Sequence, residues 1–145
     1  MFQHILVPTD GSPLSGAAAA KAMAFAREIG ARVTGLSVKP QFHPFTLRPE
    51  QVEDTRGDRW DVDLHARDHL AALERAARAA GVPCEGVVVT SDRPWEAIVD
   101  TARARGCDLI AMASHGRTGA VSAILGSQTQ RVLAHCSVPV LVYRG

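Results

Sequence analysis

Short apolar runs alternate along this chain with longer stretches whose apolar residues recur every three or four positions. Residues 2–7 make the first run, which ends at Pro8. A short, dense apolar run bounded by turn residues marks a strand buried on both faces. Thr9, Asp10, Gly11, Ser12 and Pro13 then form a turn, with Ser12 placed to cap a helix and Pro13 at its first position. Leu14, Ala18, Ala22, Phe25 and Ile29 keep one helical face until Gly30 stops it. Further strands are predicted over residues 32–38, 83–90, 109–113 and 138–143. Helical patterns fill residues 57–80, the stretch from Pro94 to the stop at Gly106, and residues 128–135. Residues 39–54 are the least regular part, with Pro40, Pro44 and Pro49 among Phe42 and Phe45. A loop that long is expected to be functional, here a mobile cover over a ligand or partner site.

Strict alternation of strand and helix predicts an α/β fold, a parallel sheet covered by helices on both faces. The first strand, helix and second strand make one βαβ unit with a right-handed crossover. No linker or internal repeat divides the 145 residues, which suit one domain spanning 1–145. In open sheets of this kind ligands sit beyond the carboxyl ends of the strands, where the strand order reverses. If the first and fourth strands are neighbours at that reversal, the Pro8–Thr9–Asp10–Gly11 turn faces whatever follows the fourth strand.

Composition narrows the function. A net charge of +1 gives no electrostatic footprint for nucleic acid or an acidic membrane. No apolar run approaches the ~18 residues of a membrane span. The chain enters a strand at once, without the basic region and apolar core of a signal peptide. Cys84, Cys107 and Cys136 are odd in number and scattered, and read as reduced, half-buried small hydrophobes in a cytoplasmic protein.

The candidate chemistry follows the fourth strand. Leu109-Ile110-Ala111-Met112-Ala113 runs into Ser114-His115-Gly116-Arg117-Thr118-Gly119, and Gly126-Ser127 opens the last helix. Glycines there let main chain approach a ligand closely, because no Cβ intervenes. A helix N-terminus presents N–H groups and the positive end of its dipole, which favours phosphate. The stretch therefore reads as a phosphate cradle, although a plain turn and an N-cap at Ser127 would use the same residues. It lacks lysine and matches neither G-x-x-x-x-G-K-[ST] nor G-x-G-x-x-G, which disfavours a P-loop hydrolase and a standard dinucleotide enzyme.

Pro8-Thr9-Asp10-Gly11-Ser12, Met112 to Gly119, Gly126-Ser127 and Val138-Pro139-Val140-Leu141-Val142 together resemble the universal stress protein family, over essentially the whole chain. The resemblance implies a Rossmann-like, adenine-nucleotide alpha-hydrolase-like fold with five parallel strands in the order 3-2-1-4-5. Its ATP-binding members carry G-x-x-G, nine residues, then G-[ST]. Gly116, the nine residues 117–125 and Gly126-Ser127 fit that pattern, while Ala113 stands where the family has its first glycine. The resemblance implies that the loop wraps phosphates and ribose, and that Pro8, Asp10 and Val38 surround the adenosine end.

The candidate nucleotide-binding set is thus Pro8, Thr9, Asp10, Val38, Met112, Ala113, His115, Gly116, Arg117, Gly119, Gly126, Ser127 and Gln128. Asp10 would meet ribose or adenine, though a carboxylate just ahead of a helix is also favourable by itself. Arg117 is the fixed positive charge of the loop and could neutralise phosphate. His115 has no paired carboxylate or nucleophile in the sequence and reads as a ligand-lining residue, so no catalytic residue is assigned. His65 and His69, at i and i+4 on the second helix, could share a metal ion only with a third ligand such as His43, Asp61 or Asp68. No resident metal is expected; Mg2+ or Mn2+ would instead arrive on ATP phosphates. The expected function is a cytoplasmic stress-response module that binds ATP, ADP or AMP. It would act as a homodimer through residues 138–143 (Val138, Pro139, Val140, Leu141, Val142, Tyr143) and with a protein partner of unknown identity. Two alternatives stay open: a member of the family that works through protein contacts without nucleotide, and a very slow ATPase.

Overall fold

The computed structural model of the chain describes residues 1–41, 52–115 and 125–144; for residues 52–63 only the helical backbone is described. Its elements are β1 (His4–Pro8), α1 (Pro13–Ile29), β2 (Arg32–Lys39), α2 (Val52–Ala80), β3 (Cys84–Thr90), α3 (Pro94–Arg105), β4 (Leu109–Ala113), α4 (Ser127–His135) and β5 (Val140–Tyr143). All strand pairs are parallel, in the order β3-β2-β1-β4-β5. The order implied by the family resemblance is therefore the observed one, and β1 and β4 meet at the reversal.

Alternate side chains of each strand feed two separate cores, as a period of two requires. Ile5, Val7, Val33, Leu109 and Ala111 pack under α1 and α2 with Ala22, Met23 and Leu73. Leu6, Leu36, Ile110 and Met112 pack under α3 and α4 with Ile98 and Val132. The small residues Ala18, Ala19, Ala22 and Ala26 form the buried face of α1, which lets that helix lie close to the sheet. Ser12 caps α1 by accepting the Ser15 N–H at 3.2 Å, as its place before Pro13 predicts.

Several boundaries differ from the sequence pattern: β1 and β2 each run one residue further, to Pro8 and Lys39, α4 begins one residue earlier, at Ser127, and four starts have a traceable cause or consequence. β1 begins at His4 rather than residue 2, because the Asp108 carboxylate takes the N–H groups of Gln3 and His4 at 2.9 and 3.0 Å. Desolvation raises the pKa of Asp108, but these N–H donors prevail and hold it below the usual carboxylate value. α2 begins at Val52, five residues before the predicted start, so the irregular stretch is shorter than its composition suggests; most of it, residues 42–51, lies outside the described residues. β3 begins at Cys84, while the carbonyl of Pro83 accepts the Val33 N–H just ahead of it. β5 begins at Val140, because Pro139 has no N–H for the ladder and only its carbonyl joins, accepting from Ile110.

Cys84, Cys107 and Cys136 are free thiols. Burial pushes Cys84 and Cys107 up to about 11, so both are protonated at neutral pH and act as small apolar side chains. Among the described residues no helix is long and apolar enough to cross a membrane.

Candidate functional site

At the carboxyl edge of the sheet three chain segments converge. The first is the turn after β1. The Thr9 N–H donates to the Leu36 carbonyl at 2.8 Å, so the turn leaves the sheet while still tied to β2. Asp10 folds back and accepts the Ser12 N–H at 2.9 Å, an Asx turn that fixes its carboxylate at the mouth of α1. Thr9 Oγ1 lies 3.3 Å from Ser15 Oγ and accepts the Gly11 N–H at 3.3 Å. Gly11 has φ +77°, a conformation that a side chain would strain. The ring of His69, from α2, occupies the space where a Cβ at this position would lie.

The second segment is the end of β2. Asp10, Ser37, Val38 and Lys39 line a cavity of about 260 Å³, closed on its other side by His65, Ala66 and His69. Val38 packs its side chain into the α3/α4 core, so the main chain is what it can offer a ligand. Asp10 and Val38, both expected at the adenosine end, are thus brought to one cavity. Pro8 ends β1 opposite Leu36.

The third segment joins β4 to α4. Ser114 donates its N–H to Tyr143 at 2.9 Å and accepts the Gly126 N–H at 2.8 Å, which clamps the two ends of the glycine loop together. Only glycine fits easily at 126: a Cβ there would stand 3.1 Å from the Ser114 carbonyl oxygen and 3.3 Å from His115 Cα. Gly116, Arg117 and Gly119 lie outside the described residues. Ser127 is not the N-cap that the sequence suggests. Gly126 holds that place in extended conformation, and Ser127 is the exposed first residue of the helix. No side chain caps the helix; buried Thr129 instead ties its first turn to the end of β4, its hydroxyl directed at the carbonyls of Ala113 and Ser114, 3.1 and 3.2 Å away. Sequence reading missed Thr129; its signal is a hydroxyl residue in the first helical turn, facing back toward the strand. Gln128 points its side-chain oxygen at the Trp95 N–H, 2.9 Å away, and so ties α4 to the start of α3. Met112 belongs to the α3/α4 core, and Ala113 ends β4 opposite Tyr143. His115 accepts or donates at Nδ1 toward the Ser114 hydroxyl, 2.9 Å away.

His65 and His69 lie on one face of α2 with ring centroids 6.4 Å apart and planes within 13°. Among the described residues no three His, Cys, Asp or Glu side chains are grouped to hold a metal ion. His43 and the side chain of Asp61, two of the third ligands that the spacing could have used, lie outside the described residues.

This edge can accept an elongated ligand with a compact polar end near Asp10 and an anionic end at the start of α4. There the first-turn N–H groups have no partner within the helix. Comparison with known proteins agrees with the architecture. A profile of the Universal stress protein family matches residues 1–144. A universal stress protein from Thermus aquaticus is 37% identical over 99% of this chain and 100% of its own length. The solved structure of MJ0577, a universal stress protein of Methanocaldococcus jannaschii, superimposes with a TM-score of 0.84 at 28% identity, over 100% of this chain and 97% of that one. Two more distant structures of similar fold are complexes with nucleotides. One holds cAMP (TM-score 0.66, 23% identity, 98% of this chain and 97% of that one) and one from Archaeoglobus fulgidus holds dAMP (0.64, 18%, 98% and 97%).

Proposed function

The chain belongs to the universal stress protein family, and from that membership we propose that it binds an adenine nucleotide, ATP, ADP or AMP, as a single-domain binding or signalling module of a stress response. The observation that carries this reading is the closure of the β4–α4 loop by the Gly126–Ser114 hydrogen bond, beside the turn that holds Asp10. The nucleotides bound by two distant proteins of the same fold support it.

In this reading Asp10 receives the ribose hydroxyls, because a fixed carboxylate accepts hydrogen bonds and repels phosphate. Main chain at Pro8, Thr9 and Val38 borders the adenosine end. Phosphates lie across Gly116, Gly119, Gly126 and the N–H groups of Ser127 and Gln128, with Arg117 neutralising charge. His115, held beside the Ser114 hydroxyl, lines the loop together with Met112 and Ala113. Mg2+ or Mn2+ would be held through the phosphates rather than by a protein cage. Nothing in this arrangement presents a paired base and nucleophile among the described residues, so turnover of ATP is at most slow.

The module is a homodimer through β5, an edge strand of the sheet among the described residues, and works in the cytoplasm, where free thiols persist. The test is a mass spectrum of small molecules released when purified protein is denatured, followed by a phosphate-release assay. An adenine nucleotide with little phosphate release is the expected result. No nucleotide, and none taken up from solution, would move the protein to a role through protein contacts alone.

A further inference from the structure

Resting on the nucleotide reading, we propose that His65 and His69 form an aromatic wall that receives the purine base. The base must lie on the β1–β2 side of Asp10, because the anion-favouring helix start lies on the β4 side. The cavity on that side is about 260 Å³, near the lower end for ligand clefts and suited to part of a nucleotide rather than the whole. Its α2 wall consists of His65, Ala66 and His69.

The two imidazoles are arranged rather than scattered. Spacing of i and i+4 puts them on one face of α2, and their planes are within 13° of parallel. The ring of His69 sits against Gly11, where any Cβ would collide with Nε2, Cδ2 and Cε1. Gly11 therefore serves two purposes, the positive φ of the turn and the seat of an imidazole beside Asp10. Ala66, buried between the histidines, keeps α2 close to the strand ends. Groups around the cavity are Asp10 on the β1 turn, Lys39 on β2 and the two histidines on α2. Phosphate is disfavoured beside the Asp10 carboxylate, while a purine brings a neutral π-face for the imidazoles.

The experiment titrates nucleotide-free full-length protein with ATP, adenosine and inorganic triphosphate. The wild type is compared with His65→Ala, His69→Ala and His65→Phe by calorimetry, and its histidine ring C–H resonances are followed by NMR. Each alanine variant should weaken ATP binding about tenfold, the scale of losing an aromatic surface under one base. His65→Phe, which keeps a ring face, should stay within about threefold of wild type. The His65 and His69 resonances should shift with ATP and adenosine and stay still with triphosphate. ATP binding by the wild type together with unmoved histidine resonances, or with alanine variants of unchanged affinity, overturns the wall and leaves the nucleotide reading standing. A wild type that binds triphosphate but neither ATP nor adenosine overturns both.

Discussion

Substituting Gly126 tests the geometry of the loop closure and its function separately. The backbone at Gly126, with φ −61° and ψ 155°, is open to any L residue, so the effect of a side chain there is contact and not strain. A Cβ at 3.1 Å from the Ser114 oxygen and 3.3 Å from His115 Cα forces the exit of β4 and the entry of α4 apart by a few tenths of an ångström. Overpacking of this kind costs about 1–3 kcal/mol, with alanine at the low end and valine, carrying two more methyls, at the high end. The same movement stretches the 2.8 Å bond from Gly126 to Ser114, whose net contribution is about 1 kcal/mol. At roughly 3–4 °C per kcal/mol, Gly126→Ala should melt about 3–5 °C lower and Gly126→Val about 8–12 °C lower. ATP affinity should fall about fivefold in the alanine variant and beyond detection in the valine variant. Thermal unfolding and calorimetry on the same samples read the two effects. A valine variant that melts within 1 °C of wild type would refute the contact argument, whereas normal melting loss with unchanged ATP affinity would refute the placement of phosphate.

Ala113 has no positive φ, because none of the described non-glycine residues does, and it sits in the β4–β5 ladder. Ala113→Gly should therefore change ATP affinity by no more than about threefold and cost about 0.5–1 kcal/mol of stability; a gain above tenfold would show that the methyl obstructs the ligand. His4 is buried with Nε2 2.6 Å from Thr34 Oγ1, and burial, reinforced by Arg32, holds its pKa below 6.5. The unfolded chain takes up a proton there that the folded chain refuses, so stability should fall as the pH drops below about 6.5 and be level in this respect above it. Urea midpoints between pH 8 and pH 5 should decline less in His4→Asn than in wild type, and an identical decline would place the effect elsewhere. Val140→Lys or Val142→Lys should give monomers or insoluble protein. A wild-type mass of one chain by light scattering at micromolar concentration would count against pairing through β5.

The alternation of elements is legible because short dense apolar runs and a period near three and a half are written directly into the apolar positions. Pro13 and Gly30, or Pro94 and Gly106, mark helix limits through local conformation alone. What sequence pattern could not show are boundaries decided across the fold. The start of β1 depends on Asp108, which adjoins it only through the neighbouring strand. The cap of α4 was assigned to Ser127 because a hydroxyl before a helix is the usual arrangement, yet the closeness of Ser114 and His115 requires the glycine to take that place. The strand order came from the family resemblance, since a parallel sheet leaves no local trace of its neighbours. The histidine pair is visible as i, i+4 spacing, which by itself suggests a shared metal ion, whereas Gly11, which seats His69 at the cavity, lies on another element.

The most direct measurement is calorimetric titration of ATP into the nucleotide-free wild-type chain, with the Gly126→Val variant run beside it. The account predicts saturable heat at one ATP per chain in the wild type and none in the variant. No heat in the wild type up to millimolar ATP, or equal heat in both proteins, would contradict it.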